Sequence, residues 1–211
     1  MASRHYKLVY WDARGRAESI RWLFAYAGQD WEDVRLPAGQ LGRACAQAPL
    51  GGVPYLEVDR RPLGDVAAIC RHLAHQFGLG LTGKDAWQAA QMDSVVEFIH
   101  ETARPLYAWI DRRILGKPAQ GDPAPEVLIS NVAAPVRQLE GILLKNSGGD
   151  RFLMGREPSW TDFVLGSFLE NLQTVDTDFL EMRPVLEAYF ARVCGLKGVA
   201  HWLERRPPTA Y

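Results

Sequence analysis

Ile20, Leu23, Phe24 and Ala27 recur at i, i+3, i+4 and i+7, with Arg16, Glu18 and Arg21 off that stripe. The spacing predicts an amphipathic helix stopped by Gly28. Just before it, Lys7-Leu8-Val9-Tyr10-Trp11 is short, rich in β-formers and closed by Asp12. That run predicts a buried strand. Trp31 to Leu36 reads as a second strand of mixed polarity, and the small-residue segment 37–50 as an irregular helix. Gly51-Gly52-Val53-Pro54 leads into the alternation Tyr55-Leu56-Glu57-Val58. Proline cannot donate to a strand ladder, so Pro54 belongs at the strand's first position. Arg60-Arg61 reads as the hairpin turn and Pro62-Leu63 as the short return strand. Val66, Ile69, Cys70, Leu73 and Phe77 then predict a third helix. The order β-α-β-α-β-β-α over residues 1–78 is that of one α/β layer.

The texture changes at Gly78, Gly80 and Gly83. Residues 79–84 read as a linker, and 85–211 as a second, all-helical domain. Met92, Val95, Val96 and Ile99 begin a long helix running towards Leu115, and 116–125 breaks it. A second long helix covers 126–145, with Pro135 a kink or an early-turn residue. Ser159-Trp160-Thr161-Asp162 has the form of a capping box with Asp in place of Glu. Helices over 184–196 and 199–205 complete the bundle.

Composition removes several function classes. The net charge of −1 supplies no basic field for nucleic acid or an anionic membrane. The three cysteines, Cys45, Cys70 and Cys194, share no metal-ligand rhythm with the five histidines, so no metal site is expected. So sparse a set points to a reducing compartment, and the charged N-terminus is unlike a signal peptide. No uninterrupted apolar stretch approaches the ~18–20 residues of a membrane span. A cytoplasmic protein is expected.

The stretches YKLVYWDARGRAESIRWLFAYAG, GVPYLEVD, AICRHLAHQFGL, SWTDF and WLERRPPTAY, in this order, resemble the cytosolic glutathione transferases. The likeness covers nearly the whole chain. It is nearest the sigma class, to which haematopoietic prostaglandin D synthase and insect and nematode members belong. The resemblance implies a thioredoxin-like α/β domain plus a helical bundle, glutathione as co-substrate and an apolar electrophile between the domains. A homodimer is implied as well. Tyr10 matches the family's catalytic tyrosine, and Arg16 the arginine that supports the thiolate. Pro54 matches the cis-proline that leaves the Val53 backbone free for the cysteinyl part of glutathione. Trp11, Asp65, Val66 and Glu101 fall at further glutathione-binding positions, Glu101 reaching the partner subunit's ligand. Simpler readings stand beside these: Tyr10 as a packing aromatic, Pro54 as a trans-proline, Glu101 as part of a solvated acidic face with Asp93 and Glu97. Tyr107, Trp109 and Phe163 are candidates for the electrophile pocket or for the core.

The chain also departs from the family. The Gln-Ser pair that reads the γ-glutamyl end is replaced by Asp65-Val66. Leu41, Cys45 and Gly52 stand where the family has an indole and two lysines, and Arg43 is the nearest substitute cation. Each lost polar contact to a charged ligand group costs ~1–3 kcal/mol. The alternative function is therefore a catalytically weakened binding or structural protein, of the kind the lens S-crystallins exemplify.

Overall fold

The computed structural model describes residues 4–117 and 119–211. Its sheet has the strand order β2-β1-β3-β4. β1 (Tyr6–Trp11) runs parallel to β2 (Glu32–Leu36), and the crossover that parallel pairing demands is α1 (Glu18–Ala27). Antiparallel β3 (Tyr55–Val58) lies on the other side of β1 and continues into β4 (Arg61–Gly64). Asp59 and Arg60, both at positive φ, make a turn of the mirror-image type that matches strand twist. Arg61, expected in that turn, belongs to β4 and pairs with Val58.

β1 is covered on both faces, which is why its sequence is almost uniformly apolar rather than alternating. Leu8 and Tyr10 join the main core with α1 and α3 (Val66–Phe77). Val9 and Tyr55 face the small side chains Ala44 and Ala48 at α2 (Leu41–Gln47). A face made of alanines leaves little amphipathic signal, so that segment looks irregular in the sequence.

The second part contains α4 (Ala86–Ile114), α5 (Pro125–Lys145), α6 (Trp160–Val175), α7 (Pro184–Cys194) and α8 (Lys197–Arg205). α4 starts six residues before its first apolar repeat, where Asp85 accepts from the Gln88 N–H at 2.8 Å, and it carries Pro105 internally. α5 is long and apolar enough to cross a membrane by length and composition, although polar residues interrupt its apolar run. Here its stripe Leu128, Val132, Val136, Leu139 and Leu143 is buried in the bundle. The Ser159 cap forms: Asp162 accepts from the Ser159 N–H at 2.7 Å.

Two glycines weld the halves together. A Cβ on Gly166 of α6 would lie 2.7 Å from the Trp22 ring, and one on Gly198 of α8 would lie 2.1 Å from the Ala25 carbonyl oxygen. α1 and α8 therefore touch backbone to backbone. Into that contact Glu18 of α1 is wholly buried, accepting from the indoles of Trp22 and Trp202 and pairing with Arg21 and Arg206.

Candidate functional site

Tyr10, the penultimate residue of β1, is buried, and its hydroxyl accepts from the Arg16 backbone N–H at 3.3 Å. The turn that brings this amide round starts at Gly15, whose φ is +42°. A Cβ there would stand 2.6 Å from the Tyr10 hydroxyl oxygen, so only glycine fits. Asn171 of α6 donates to the Gly15 carbonyl at 3.4 Å and so ties the turn to the helical domain. Burial, then the Asp111 carboxylate, pushes the Tyr10 phenol above its ordinary range against the pull of Arg16. The phenol is thus neutral. Because its oxygen accepts from the amide, its own O–H is available to donate.

Arg16 sits in a 3-10 turn (Gly15–Ala17) that feeds α1, rather than in the first α turn. Its guanidinium bonds Asp111 of α4 at 2.6 Å and lies 5.4 Å from the centre of the Tyr107 ring.

In front of this group opens a cleft of about 380 Å³. One wall is the loop Gly52–Pro54, with a cis Val53–Pro54 bond, followed by Asp65 and Val66. The facing wall is α4, through Glu97, His100, Arg104 and Tyr107. Ser19 and Ser167 also line it. Among the described residues, no backbone hydrogen bond outside the helices and strands involves Val53. Asp65, at φ 69°, caps α3 by accepting from the Ala68 N–H at 2.9 Å. Val66, the first residue of α3, brings only an aliphatic side chain to the cleft. Burial pushes the His100 imidazole down, Asp65 and Glu97 push it back, and Arg16 adds to the lowering.

The structure therefore gathers Arg16, Val53, Pro54, Asp65 and Val66 on one cleft, with Tyr10 directly behind Arg16. Trp11 is not on the lining: it pairs with Leu36 and is buried in the core. Glu101 is exposed on α4, outside the cleft. Of the three aromatics considered for an electrophile pocket, only Tyr107 lines the cleft. Trp109 is buried beneath the Arg113 guanidinium, and Phe163 is buried beside Tyr26. Arg43 lies off the lining, Gly52 is on it, and the side chain of Leu41 lies outside the described set.

His100 and Arg104 were missed in the sequence, although a signal exists. Positions 97, 100, 104, 107 and 111 are spaced 3, 4, 3 and 4, one face of a helix. Their mixed polarity hides that face from any search for apolar periodicity.

A thioredoxin-like layer whose cis-proline loop faces the first long helix of an all-helical domain defines the glutathione transferase fold. Comparison with known proteins gives the same answer twice over. The family model for the glutathione S-transferase N-terminal domain matches residues 6–75, and that for the C-terminal domain residues 118–206. Glutathione S-transferase 1 of Ascaris suum is 34% identical, the match covering 98% of each chain. Hematopoietic prostaglandin D synthase of Gallus gallus is 31% identical, again over 98% of each. Among solved structures, monomeric Na-GST-3, a glutathione S-transferase of Necator americanus, superposes with a TM-score of 0.84 at 26% identity. That match covers 98% of this chain and 100% of the other. The chain belongs to the glutathione S-transferase family.

Proposed function

We propose that this protein conjugates glutathione to an electrophile, or isomerises one, with Tyr10 and Arg16 stabilising the glutathione thiolate. The observation that carries the reading is the joint placement of the Arg16 guanidinium on the cis-proline cleft and of the buried, neutral Tyr10 phenol directly behind it. A thiol of pKa ~8.5 is only a few per cent ionised at pH 7, and the thiolate is the nucleophile. The Tyr10 O–H supplies a charge-assisted hydrogen bond to the sulfur, and Arg16 an opposite charge. A fall of ~2 pH units in the thiol pKa makes the thiolate the majority form.

The remaining contacts follow from the same cleft. The Val53 backbone pairs with the cysteinyl unit. Asp65 takes the γ-glutamyl ammonium, and the Val66 amide takes the α-carboxylate without help from a hydroxyl. The electrophile sits against the α4 wall beside Tyr107. The relatives that match nearly end to end carry transferase and synthase names, which favours an enzyme over a weakened binding protein. Cytoplasmic location and a homodimer, with exposed Glu101 reaching the neighbouring subunit's ligand, complete the proposal.

The test is conjugation of glutathione to an aryl halide by the purified protein, beside Tyr10→Phe and Arg16→Ala. The expected result is glutathione-dependent turnover that both variants reduce. Turnover unchanged in both would remove the mechanism.

A further inference from the structure

The α4 stripe Glu97, His100, Arg104, Tyr107, Asp111 ends on a carboxylate to which thiolate stabilisation gives no task. Asp111 Oδ2 lies 2.6 Å from Arg16 Nη2, bridging the helical domain to the loop after β1. By charge alone it is misplaced, because an anion beside the sulfur opposes ionisation of the thiol. Burial pushes the Asp111 carboxyl up against the pull of Arg16 and Arg112, although the side chain is still partly exposed. Geometry explains what charge does not. Arg16 rides on a short turn with a long, rotatable side chain, and among the described residues its buried Nε has no partner. The guanidinium is held from one direction only. Asp111 grips its edge while Tyr107, four residues earlier on the same helix face, lies against its plane.

We propose that Asp111 is a positioning residue that clamps the Arg16 guanidinium beside the thiolate site. The stabilising field of Arg16 is thereby made to depend on the docking of α4. The inference rests on the glutathione reading given above. The other ionisable groups around the pair are Tyr10 from β1, Arg21 from α1, Tyr107, His100 and Arg112 from α4, and Glu170 from α6. The two phenols are held neutral by burial, the arginines carry fixed charge, and Glu170 is engaged by Arg206. Burial pushes the His100 imidazole down, towards its uncharged form, with Asp65 and Glu97 opposing and Arg16 adding to the lowering.

The experiment is titration of bound glutathione by the ultraviolet absorbance of its thiolate, at saturating ligand. It is run on the full chain and on Asp111→Ala, Arg16→Ala and the double variant. A clamp predicts that Asp111→Ala raises the bound-thiol pKa by about one pH unit, because Arg16 swings away. In the Arg16→Ala background the same change produces no further rise. A bound-thiol pKa that stays put or falls in Asp111→Ala overturns the proposal, as does a full rise in the double variant. Should Asp111→Ala fail to fold, the isosteric Asp111→Asn is read beside Asp111→Asn/Arg16→Ala. The clamp predicts that any rise in bound-thiol pKa caused by Asp111→Asn disappears when Arg16 is absent, and a rise of the same size in the Arg16→Ala background overturns it. If the native protein itself shows no bound thiolate, the glutathione reading fails, and the clamp is read from the Arg16 Nε–H NMR signal of the ligand-free protein. That signal is immobilised in the native chain and lost in the variant. Its persistence in Asp111→Ala overturns the clamp.

Discussion

The backbone N–H of Arg16 points at the Tyr10 hydroxyl from 3.3 Å, while the side chain of the same arginine turns away to Asp111. One residue thus presents a donor to the phenol through its main chain and a charge to the cleft through its side chain. The phenol oxygen accepts this one hydrogen bond and keeps its own proton to give.

Tyr10→Phe keeps the ring and removes that proton. A hydrogen bond to a charged partner is worth ~1.5–3 kcal/mol, so kcat/KM for conjugation is expected to fall ~10–100-fold. Steady-state kinetics check it, with circular dichroism to show that the fold is retained.

Gly15→Ala attacks the same contact from behind. The new methyl would meet the Tyr10 hydroxyl at 2.6 Å from a residue whose φ of +42° already suits glycine. Strain of this kind costs ~1–3 kcal/mol, and the phenol moves with it. Urea unfolding should show a lower midpoint, and conjugation should fall even where the protein remains folded.

Val66→Ser restores a hydroxyl at the first residue of α3, on the cleft wall. One hydrogen bond to a carboxylate is worth ~1.5–3 kcal/mol, so the KM for glutathione should drop at least ~tenfold. Because the contact is made equally in ground and transition states, kcat should stay the same. Calorimetric titration with glutathione reads the affinity directly.

Much of this site was legible because its signals are local. β1, the Gly28 stop, Pro54 at the head of β3 and the Ser159 cap are each written within a few neighbouring residues. The cis-proline loop and the Tyr10–Arg16 pair follow from one short stretch each. What stayed hidden was the facing wall. Asp111 acquires meaning only from Arg16, 95 positions earlier, and Arg104 only from a cleft that neither half forms alone. Trp11 misled for the complementary reason. An aromatic at a strand end, next to the tyrosine proposed to be catalytic, reads as a ligand contact until packing buries it.

Acid should destabilise the fold through Glu18. Burial alone would raise its carboxyl, but Arg21 and Arg206, with the Trp202 indole, outweigh that and hold it below the ordinary range. A lowered folded-state value means the stabilisation is complete above the unfolded value, ~4.3, and is lost as pH falls through the folded one. Glu170 shares the same guanidinium but is pushed up by burial, so its own contribution slopes the opposite way. Glu18→Gln should lose ~3–5 kcal/mol at neutral pH and flatten the acid limb. Unfolding by urea at a series of pH values measures both.

The α1–α8 contact also sets an order of events during synthesis. Glu18 leaves the ribosome long before Trp202 and Arg206, which follow it by 184 and 188 residues. At ~5–20 residues per second that interval is on the order of ten seconds or more. Throughout it the α/β layer exists as a nascent chain in which Glu18 has only its α1 neighbours Arg21 and Trp22 for partners, and the backbone around Ala25 is uncovered. The helix that seals α1 is thus made long after it.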